Sequence, residues 1–433
     1  MSDALVAGLR TALEHELPAA VVLRRVLHAR PRVSGDEEDT ADLVATALAG
    51  DPRAGEVVAG TGRVLQVGAG AGPAAADPVV TGAAVGTPTV AVRAELDALP
   101  LVEDTGLAYA APPLLRAMHA CGHDVHLAAV VALARAVTRT PHSPPLLVVL
   151  QPREEVNASG ARDVLASGAL QRHRVGAVVG AHVQPQLAAG VVGVTPGGVN
   201  AGVDSFRLEI TGVGGHGAYP HTTVDPVLAL AAVVVALQQV TSRRIDPAEG
   251  AVCTVGTLKA GTAANVVPDS ASATGTLRTM SAPSAARLRQ VVDEVTRATA
   301  AAYGCTGRAD FDHPTPVLRN DPALTAATEQ RLRAAGLPTD SRWRSFGSDD
   351  FAAYGDELPS LMMFAGVGAA VDASGVGAAG GVDGVGGAAA DGAGVGRPAA
   401  GLHSTRFDPG EDSVGLVARC LLGGYLAAAL DLR

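Results

Sequence analysis

A nine-residue segment, Met118–His126, holds the densest group of metal-binding side chains in this chain of 433 residues. It contains His119, Cys121, His123, Asp124 and His126. Thiolate and imidazole are the ligands that zinc and related transition metals prefer. A buried cysteine beside surface histidines would give the same pattern, but further ligand-type clusters downstream disfavour that interpretation. The segment therefore predicts a transition-metal site.

Other candidate ligands lie far from this segment in the sequence. With two residues of the segment they form one set: Cys121, His123, Glu155, His182 and His403. A mononuclear catalytic zinc uses about three protein ligands and a water, so the larger set predicts two metal ions. Zinc is favoured, and manganese, cobalt and nickel remain open. Taken alone, His403 would more often be a surface histidine.

The adjacent acids Glu154 and Glu155 follow the apolar run Leu146–Leu150. Paired acids are more often a solvated surface, but the end of a strand-like run favours a site. Neighbouring residues there point in different directions, so Glu155 could bind metal while Glu154 faces the substrate. A carboxylate so placed can accept a proton from the attacking water and pass it to a leaving amine. Asp97 could orient a ligand imidazole, or be an ordinary loop acid.

Three short apolar runs come directly before these polar residues. They are Thr89–Val92, Leu146–Leu150 and Val175–Val179, with a helical stretch, Asp124–Val137, between the first two. Apolar strands that alternate with helices predict an α/β domain with a mostly parallel sheet flanked by helices. Sites in such sheets lie beyond the carboxyl ends of the strands, which is where the candidate ligands fall.

Two helices are predicted before this sheet. Residues 3–29 carry leucines at helical spacing. A second helix is expected to begin near Ser34, because Glu37 three residues later would complete a capping box.

The chain is long enough for two domains. Residues 199–315 have a β-α-β-β-α pattern, which predicts an inserted, smaller α+β domain with two helices on one face of an antiparallel sheet. The larger catalytic domain would then comprise 1–198 and 316–433. Residues 369–400 are almost only Ala, Gly, Val and Asp, and this composition is typical of a low-complexity loop.

Composition excludes several classes of partner. A net charge of −10 disfavours nucleic acid. The longest apolar run, Val227–Leu237, is too short to span a bilayer, and the N-terminus lacks the basic and apolar regions of a signal peptide. Four scattered cysteines make no disulfide framework. We therefore expect a cytoplasmic protein that binds neither nucleic acid nor membrane.

Six motifs occur in the order typical of one enzyme family. They are RAELDALP at Arg93–Pro100, HACGHDVH at His119–His126, QPREE at Gln151–Glu155, GGHGAYPH at Gly214–His221, NVVP at Asn265–Pro268 and GTLR at Gly275–Arg278. Over nearly its whole length the chain resembles the metal-dependent amidohydrolases that include hippurate hydrolase, N-acyl-amino-acid hydrolases and auxin-conjugate hydrolases. Aminoacylase and carboxypeptidase G are more distant relatives.

The resemblance implies a dinuclear metal site in the larger domain and a satellite domain that commonly forms a homodimer. By that resemblance the five residues of the candidate set are the metal ligands. Glu154 would be the general base, and Asp97 the supporting acid of the active site.

In the satellite domain the resemblance implies three further roles. His216 would reach the active site of a partner subunit and steady the oxyanion, while Asn265 and Arg278 would hold the substrate carboxylate. Their local sequence alone would suggest a turn histidine, a turn asparagine and a strand-end arginine.

Three features depart from the family pattern. Glu95 stands where the family usually has Asp, and Ser348–Phe351 replaces the usual Glu-Asp-Phe. Residues 369–400 enlarge the loop before His403, which could alter substrate access.

The function predicted from the sequence is metal-dependent hydrolysis of the amide bond of an N-acyl amino acid, which gives a carboxylic acid and an amino acid. One alternative is a dipeptidase or a carboxypeptidase-like hydrolase of aryl-glutamate amides. Another is a catalytically inactive metal-binding paralogue, which the intact ligand set and Glu154 disfavour.

Overall fold

The helices and strands follow the apolar runs of the sequence. The structure is a computed structural model that describes residues 3–68, 88–156, 160–368 and 400–431. The predicted low-complexity loop at 369–400 lies outside the described residues except for its last one. The helices are α1 Asp3–His28, α2 Glu38–Ala49, α3 His123–Arg139, α4 Gly160–Ala166, α5 Ala169–Arg172, α6 Pro226–Leu237, α7 Val240–Arg243, α8 Ala282–Ala302, α9 Pro322–Ala334 and α10 Asp412–Leu430. The strands are β1 Glu56–Val58, β2 Gly62–Val67, β3 Thr89–Glu95, β4 Leu146–Gln151, β5 Val175–Ala188, β6 Val192–Gly193, β7 Gly197–Asn200, β8 Gly202–Thr211, β9 Gly215–His216, β10 Ala251–Ala260, β11 Val266–Val267, β12 Ser270–Thr279, β13 Thr306–Thr315, β14 Leu318–Asn320, β15 Thr339–Asp340 and β16 Ser360–Gly368.

The chain divides into two compact units. The larger comprises Met1–Pro196, Asn320–Trp343 and Tyr354–Arg433, and the smaller comprises Gly197–Arg319 and Arg344–Ala353. The sequence-based boundaries had placed the last of these segments in the larger domain.

The larger unit is built on an eight-stranded sheet with the order β1-β2-β4-β3-β5-β16-β6-β15. Its central strands β4, β3, β5 and β16 are parallel to one another. β2 pairs antiparallel with β4, and β6 pairs antiparallel with β16. Every residue of β3 and β4 is buried, as expected for strands covered on both faces. The predicted α/β class, with helices flanking a mostly parallel sheet, is confirmed.

The predicted strands are longer in the structure. β3 continues to Glu95 and β5 to Ala188, whereas the apolar runs ended at Val92 and Val179. The extra residues include many polar or small side chains, such as Arg93, Glu95 and Gly180, so hydrophobicity alone did not predict the extension. They carry part of the site described below.

Ser34 and Glu37 do not form the predicted capping box. α2 begins at Glu38, and Glu37 makes no side-chain capping bond. Glu37 instead accepts hydrogen bonds from Thr61 Oγ1 (2.7 Å) and from the main-chain N–H of Arg153 (2.9 Å). Both residues serve long-range contacts, because Ser34 Oγ donates to a carboxylate 63 residues away.

α10 is long and apolar enough to cross a membrane by length and composition, with a mean hydropathy of 1.6. Yet 83% of its most apolar stretch is buried inside the structure. Its residues belong to the same hydrophobic core as α1, α3 and the central strands. α10 is therefore a core helix of the larger unit.

The smaller unit contains a four-stranded antiparallel sheet with the order β10-β12-β8-β13. α6 and α8 pack against it around a core that includes Phe206, Leu230 and Val291. A short ribbon of β9 and β11 carries two of the motifs. The predicted antiparallel sheet with two packed helices is confirmed.

Candidate metal centre

The candidate ligands of the larger unit meet near the carboxyl ends of its central strands. Cys121 comes just before α3, and His123 is the first residue of that helix. His182 lies on the extended part of β5. Glu155 follows β4, and His403 belongs to the segment before α10. The sheet thus brings together residues that are up to 282 positions apart.

Gly122 allows the two neighbouring candidate ligands, Cys121 and His123, to approach β5. Its φ is 84°, a left-handed conformation that side chains rarely adopt. A Cβ added at this position would lie 2.5 Å from Val183 Cγ2. Glycine is therefore needed both for the turn between Cys121 and His123 and for close packing on β5.

The distances between donor atoms are short. Cys121 Sγ lies 3.4 Å from His182 Nε2, and His403 Nε2 lies 3.4 Å from Glu155 Oε1. Possible ligand atoms of Cys121, His123 and Glu155 all lie within 4.8 Å of one another. The structure thus gathers all five candidate ligands at one place.

Asp97 connects two of these candidate ligands, His123 and Glu155, but not in the predicted way. Its main-chain carbonyl, rather than its carboxylate, accepts the hydrogen bond from His123 Nδ1 (2.8 Å). Its Oδ2 accepts from the main-chain N–H of Glu155 (2.9 Å) and from Ser34 Oγ (2.7 Å). Because a carbonyl can only accept, Nδ1 carries a proton, and in the neutral imidazole His123 Nε2 is the lone-pair donor.

Glu154 lies on the same side of His123 as the candidate ligands. Its Oε2 is 4.0 Å from His123 Nε2, too far for a hydrogen bond but close enough to share the site. Its side chain is 12% exposed, so it can meet solvent or a substrate. Arg153, just before it, has a φ of 53° and is held by Glu37 through its main chain. Because of this turn, the chain that carries the two glutamates leaves the line of β4.

The three imidazoles of the motif have different environments. His123 faces Cys121 and Glu155. His126 has both nitrogens in hydrogen bonds, to Glu95 Oε2 and to the main chain of Val183. His119 is buried, with neither nitrogen hydrogen-bonded within the described residues, and burial lowers its pKa to about 3. Sequence spacing alone could not distinguish these three environments.

Burial dominates the electrostatics of the site. It raises the pKa of the Cys121 thiol well above its usual value, and the Glu155 charge adds to the effect. It lowers the pKa of His182 to about 3, with a further contribution from His126. Burial would raise the pKa of Glu155, but the close contact with the His403 imidazole and the attraction of His123 outweigh it and lower that pKa. A bound divalent cation would therefore displace the thiol proton and meet a neutral imidazole and a carboxylate.

The donor set fits divalent metal ions. His123 Nε2 is buried and has no hydrogen-bond partner in the part of the chain that the structure describes. A buried nitrogen without a partner loses its interaction with water, and a bound cation would replace that interaction. Sulfur, imidazole and carboxylate donors are those that zinc takes in proteins.

A buried ionic cluster, which sequence reasoning missed, lies behind this site. Asp124 Oδ2 accepts from Arg24 Nε (2.7 Å) and from His28 Nδ1 (2.9 Å), and His28 Nε2 pairs with Glu103 (3.0 Å). Arg24 also reaches Asp408 at 3.2 Å, in the segment that carries His403. Helical spacing showed only that α1 has an apolar face, so the partners of its buried charges were not predictable.

His216 and Asn265 lie side by side in the smaller unit. His216 pairs with Val266 in the β9–β11 ribbon, and the N–H of Gly217 donates to the carbonyl of Asn265 (2.8 Å). Both side chains are exposed. His216 Nδ1 accepts from the N–H of Ala218 (3.0 Å), so its proton is on Nε2, which is directed away from that turn.

Arg278 lies elsewhere in the smaller unit, on β12 opposite Val203 and Val252. Its Nη1 donates to the carbonyl of Phe346 (2.7 Å), and burial lowers its pKa. The main chain thus fixes one end of the guanidinium. The other N–H groups of the fork could donate to an anion.

Comparisons with known proteins agree with this arrangement. Residues 91–376 match peptidase family M20/M25/M40. Over 281 residues the chain is 36% identical to N-acetyl-L-cysteine deacetylase of Bacillus subtilis (strain 168), which covers 64% of this chain and 67% of that protein. It is 31% identical over 283 residues to N-acetyldiaminopimelate deacetylase of Geobacillus thermodenitrificans (strain NG80-2), covering 64% and 74%. The fold is similar to that of the YXEP protein of Bacillus subtilis, a dinuclear metal-binding peptidase of the M20 family, with a TM-score of 0.74, 25% identity and coverage of 96% and 99%. The resemblance drawn from the motifs is therefore confirmed, and this chain belongs to peptidase family M20/M25/M40.

Proposed function

We propose that this chain is a metal-dependent amidohydrolase that cleaves N-acyl amino acids into a carboxylic acid and an amino acid. The convergence of five donor side chains beside Glu154 is the observation that carries the proposal. The two deacetylases among its relatives act on N-acetylated amino acids, as their names state. A small N-acyl amino acid is accordingly the substrate class proposed here.

Two divalent ions would be held by the five residues of the candidate set. The structurally similar YXEP protein of Bacillus subtilis is a dinuclear metal-binding peptidase. Bound there, the ions would polarise the substrate carbonyl and make an attacking water more acidic. The thiol of Cys121 favours zinc, while manganese, cobalt and nickel remain open.

Glu154 is the proposed general base. It lies beside the donor cluster without belonging to the closely spaced group of Cys121, His123 and Glu155. From that position its carboxylate can accept a proton from the attacking water and later deliver it to the leaving amine. Asp97 would support catalysis indirectly. Its main-chain carbonyl holds His123, and its carboxylate holds the main chain of Glu155.

The smaller unit is proposed to supply the substrate contacts. Asn265 and Arg278 would hold the carboxylate of the amino-acid half, because an amide and a guanidinium are suitable donors for it. The exposed Nε2–H of His216 would donate to the oxyanion that develops on the attacked carbonyl. In the family pattern this histidine acts in the partner's site.

A homodimer through the smaller unit is therefore part of the proposal. α6 is apolar around its circumference and exposes Leu228 (56%) and Val235 (73%). β10 is an edge strand of its sheet, and among the described residues it pairs only with β12. It also exposes Leu258 (53%). An unpaired strand edge beside an apolar helix face is typical of a surface that a second copy covers.

The cysteines are consistent with the proposed cytoplasmic location. All four are free, and three of them are buried. Unpaired buried thiols persist in a reducing compartment.

The experiment is a substrate screen of metal-reconstituted protein. N-acetyl, N-benzoyl and indole-acyl amino acids would be compared with dipeptides and aryl-glutamate amides. We expect the highest kcat/KM in the N-acyl amino acid group, together with nearly two divalent ions per chain by elemental analysis. Preference for dipeptides or aryl-glutamates would support the peptidase alternative. Bound metal without turnover of any compound would indicate an inactive paralogue.

A further inference from the structure

The third histidine of the metal-binding motif lies between two strands and contacts no candidate ligand atom by hydrogen bond. His126 Nδ1 is 2.9 Å from Glu95 Oε2, and the main-chain N–H of Val183 donates to His126 Nε2 at 3.0 Å. An amide N–H can only donate, so Nε2 must be the unprotonated nitrogen. The proton is therefore on Nδ1, which donates to Glu95.

Val183 is bound by a second imidazole. Its main-chain carbonyl accepts a hydrogen bond from Nδ1 of His182, the preceding residue, at 2.7 Å. A carbonyl can only accept, so His182 carries its proton on Nδ1 and its Nε2 is a lone-pair donor. That nitrogen lies 3.4 Å from Cys121 Sγ. The main-chain N–H of Val183 thus binds His126, and its carbonyl binds the candidate ligand His182.

The sheet explains why Val183 needs these partners. β3 pairs with β5 only as far as Val92 and Val179, while β16 pairs with β5 on the other side past Val183. Beyond Val179 the β5 edge that faced β3 would leave buried main-chain groups without strand partners. Buried N–H and C=O groups are almost always paired, and here imidazoles take the place of the missing strand.

Glu95 holds the far side of His126. It accepts hydrogen bonds from His126 and from Arg93 Nη1, and it is 1% exposed. Arg93 Nε in turn donates to Gln151 Oε1 (2.9 Å) at the end of β4. The chain of hydrogen bonds therefore joins β4, β3, α3 and β5 in one buried row that ends at the residue after His182.

We propose that His126 is a positioning residue for the metal centre: it orients the Val183 main chain, and through it His182 Nε2, without binding metal itself. This inference rests on the proposed function, because it assumes that His182 is a ligand. Groups that orient ligands typically contribute 10- to 100-fold to metal affinity.

The proposal distinguishes two amide substitutions. The amide group of glutamine reaches as far as the Nε2 of histidine, so His126→Gln can still accept from Val183. The amide group of asparagine reaches only as far as Nδ1, so His126→Asn can bind Glu95 but leaves the Val183 N–H unpaired. We expect Co²⁺ affinity, measured by competition with a chromophoric chelator, to fall about 10- to 100-fold in His126→Asn and less than about 3-fold in His126→Gln.

Both variants should still bind the wild-type number of ions at saturation and show the thiolate-to-cobalt absorption band. His142→Asn is the matched control, since His142 is exposed and has a φ of 63° that asparagine tolerates. Its affinity should be unchanged. Fewer ions at saturation in His126→Asn would make His126 a ligand and overturn the proposal, as would equal affinities in the Asn and Gln variants.

Hydrogen exchange of metal-free protein provides a second measurement. Deuterium uptake in the peptide that contains Val183 should rise in His126→Asn and stay near the wild-type level in His126→Gln. Unchanged uptake in both variants would overturn the inference even if the variants bind metal poorly. If the wild-type protein bound no Co²⁺, the proposed function would fail, whereas the exchange comparison would still test the contact between His126 and Val183.

Discussion

The two regions proposed to meet the substrate are built in opposite ways. In the larger unit the donor atoms of Cys121, His123 and His182 are buried, and hydrogen bonds to main-chain groups set the orientations of both imidazoles. In the smaller unit the side chains of His216 and Asn265 are exposed on a two-stranded ribbon. A metal centre needs fixed geometry before the ion arrives, whereas groups that contact substrate or a second subunit must remain accessible. We therefore expect folding alone to complete the metal centre, whereas the proposed groups of the smaller unit would act only once a substrate or a second subunit is bound.

The sharpest test of the buried region separates its two adjacent glutamates. Glu154→Gln should keep both metals and lose roughly two to four orders of magnitude in kcat, the scale of general acid–base catalysis. Glu155→Gln should lose metal affinity, because Glu155 lies within the donor cluster. The measurements are kcat on a cleaved N-acyl amino acid and elemental analysis of each variant. If Glu154→Gln lost the metal and Glu155→Gln retained it, the two roles would be reversed.

The exposed region is tested by removing its imidazole. His216→Ala should lower kcat about 10²- to 10³-fold, as the loss of one oxyanion donor does, and leave metal content intact. His15→Ala is a control, since that side chain is 71% exposed and lies far from the motifs in sequence. Steady-state kinetics and elemental analysis measure the two effects.

Mixing subunits then shows whether the exposed histidine serves a partner. A heterodimer of His216→Ala and Glu154→Gln chains would contain one complete site, so activity should return when the two variants are combined. Subunit exchange would be verified with differently tagged chains. Absence of rescue despite exchange would mean that His216 acts within its own chain or only supports its turn.

The ionic cluster behind the metal centre predicts a pH dependence of stability. Burial would lower the pKa of His28, but the charge and hydrogen bond of Asp124 and the bond to Glu103 outweigh it and raise that pKa to about 9, from 6.5. Protonated His28 thus stabilises the folded state, in full below about pH 6.5, and this contribution is lost as the pH rises through about 9. The difference corresponds to roughly 3 kcal/mol.

Calorimetric unfolding temperatures between pH 6 and 10 would check this pH dependence. The wild-type protein should lose thermal stability across that range, whereas His28→Gln should begin less stable and change less. Parallel pH profiles for the two proteins would contradict a charged His28 in the folded state.

The smallest effect is expected from the low-complexity segment. Replacing residues 369–396 with a short linker should leave folding and metal content nearly unchanged, because loop length has a weak entropic cost. Described residues outside this segment hold the chain near His403: its N–H donates to the carbonyl of Ala120 (2.9 Å), and the carbonyl of Thr405 accepts from the N–H of Asp104 (2.7 Å). Circular dichroism and elemental analysis would measure the result. Lost metal in this variant would show that the segment helps to place His403.

The sequence indicated the candidate ligands of the site better than the residues that hold them in place. The sequence selected Cys121, His123 and Glu155, whose donor atoms lie close together in the structure, because metal-binding side chains have distinctive types and these lie near the ends of apolar runs. Ser34 was misinterpreted as a helix cap, because a capping box is a local pattern and its real partner, Asp97, is distant. The pairing of Arg24 with Asp124 was equally inaccessible, since it depends on how two helices pack.

The structure also modifies the role expected for Asp97. A carboxylate was expected to orient a ligand imidazole, whereas the main-chain carbonyl of the same residue does so. Sequence patterns report side-chain chemistry and leave the direction of main-chain groups undetermined. That direction follows from where β3 ends and its chain turns away from the sheet.

Val183 extends this point to the tolerance of the site for sequence change. Both of its polar contacts are made by the main chain, so another side chain that fits against Gly122 could occupy the position and keep the two imidazoles in place. Proline is the one residue that would lack the N–H which His126 accepts. Side-chain variation at this position would therefore conceal a requirement for a main-chain N–H and C=O that orient the two imidazoles.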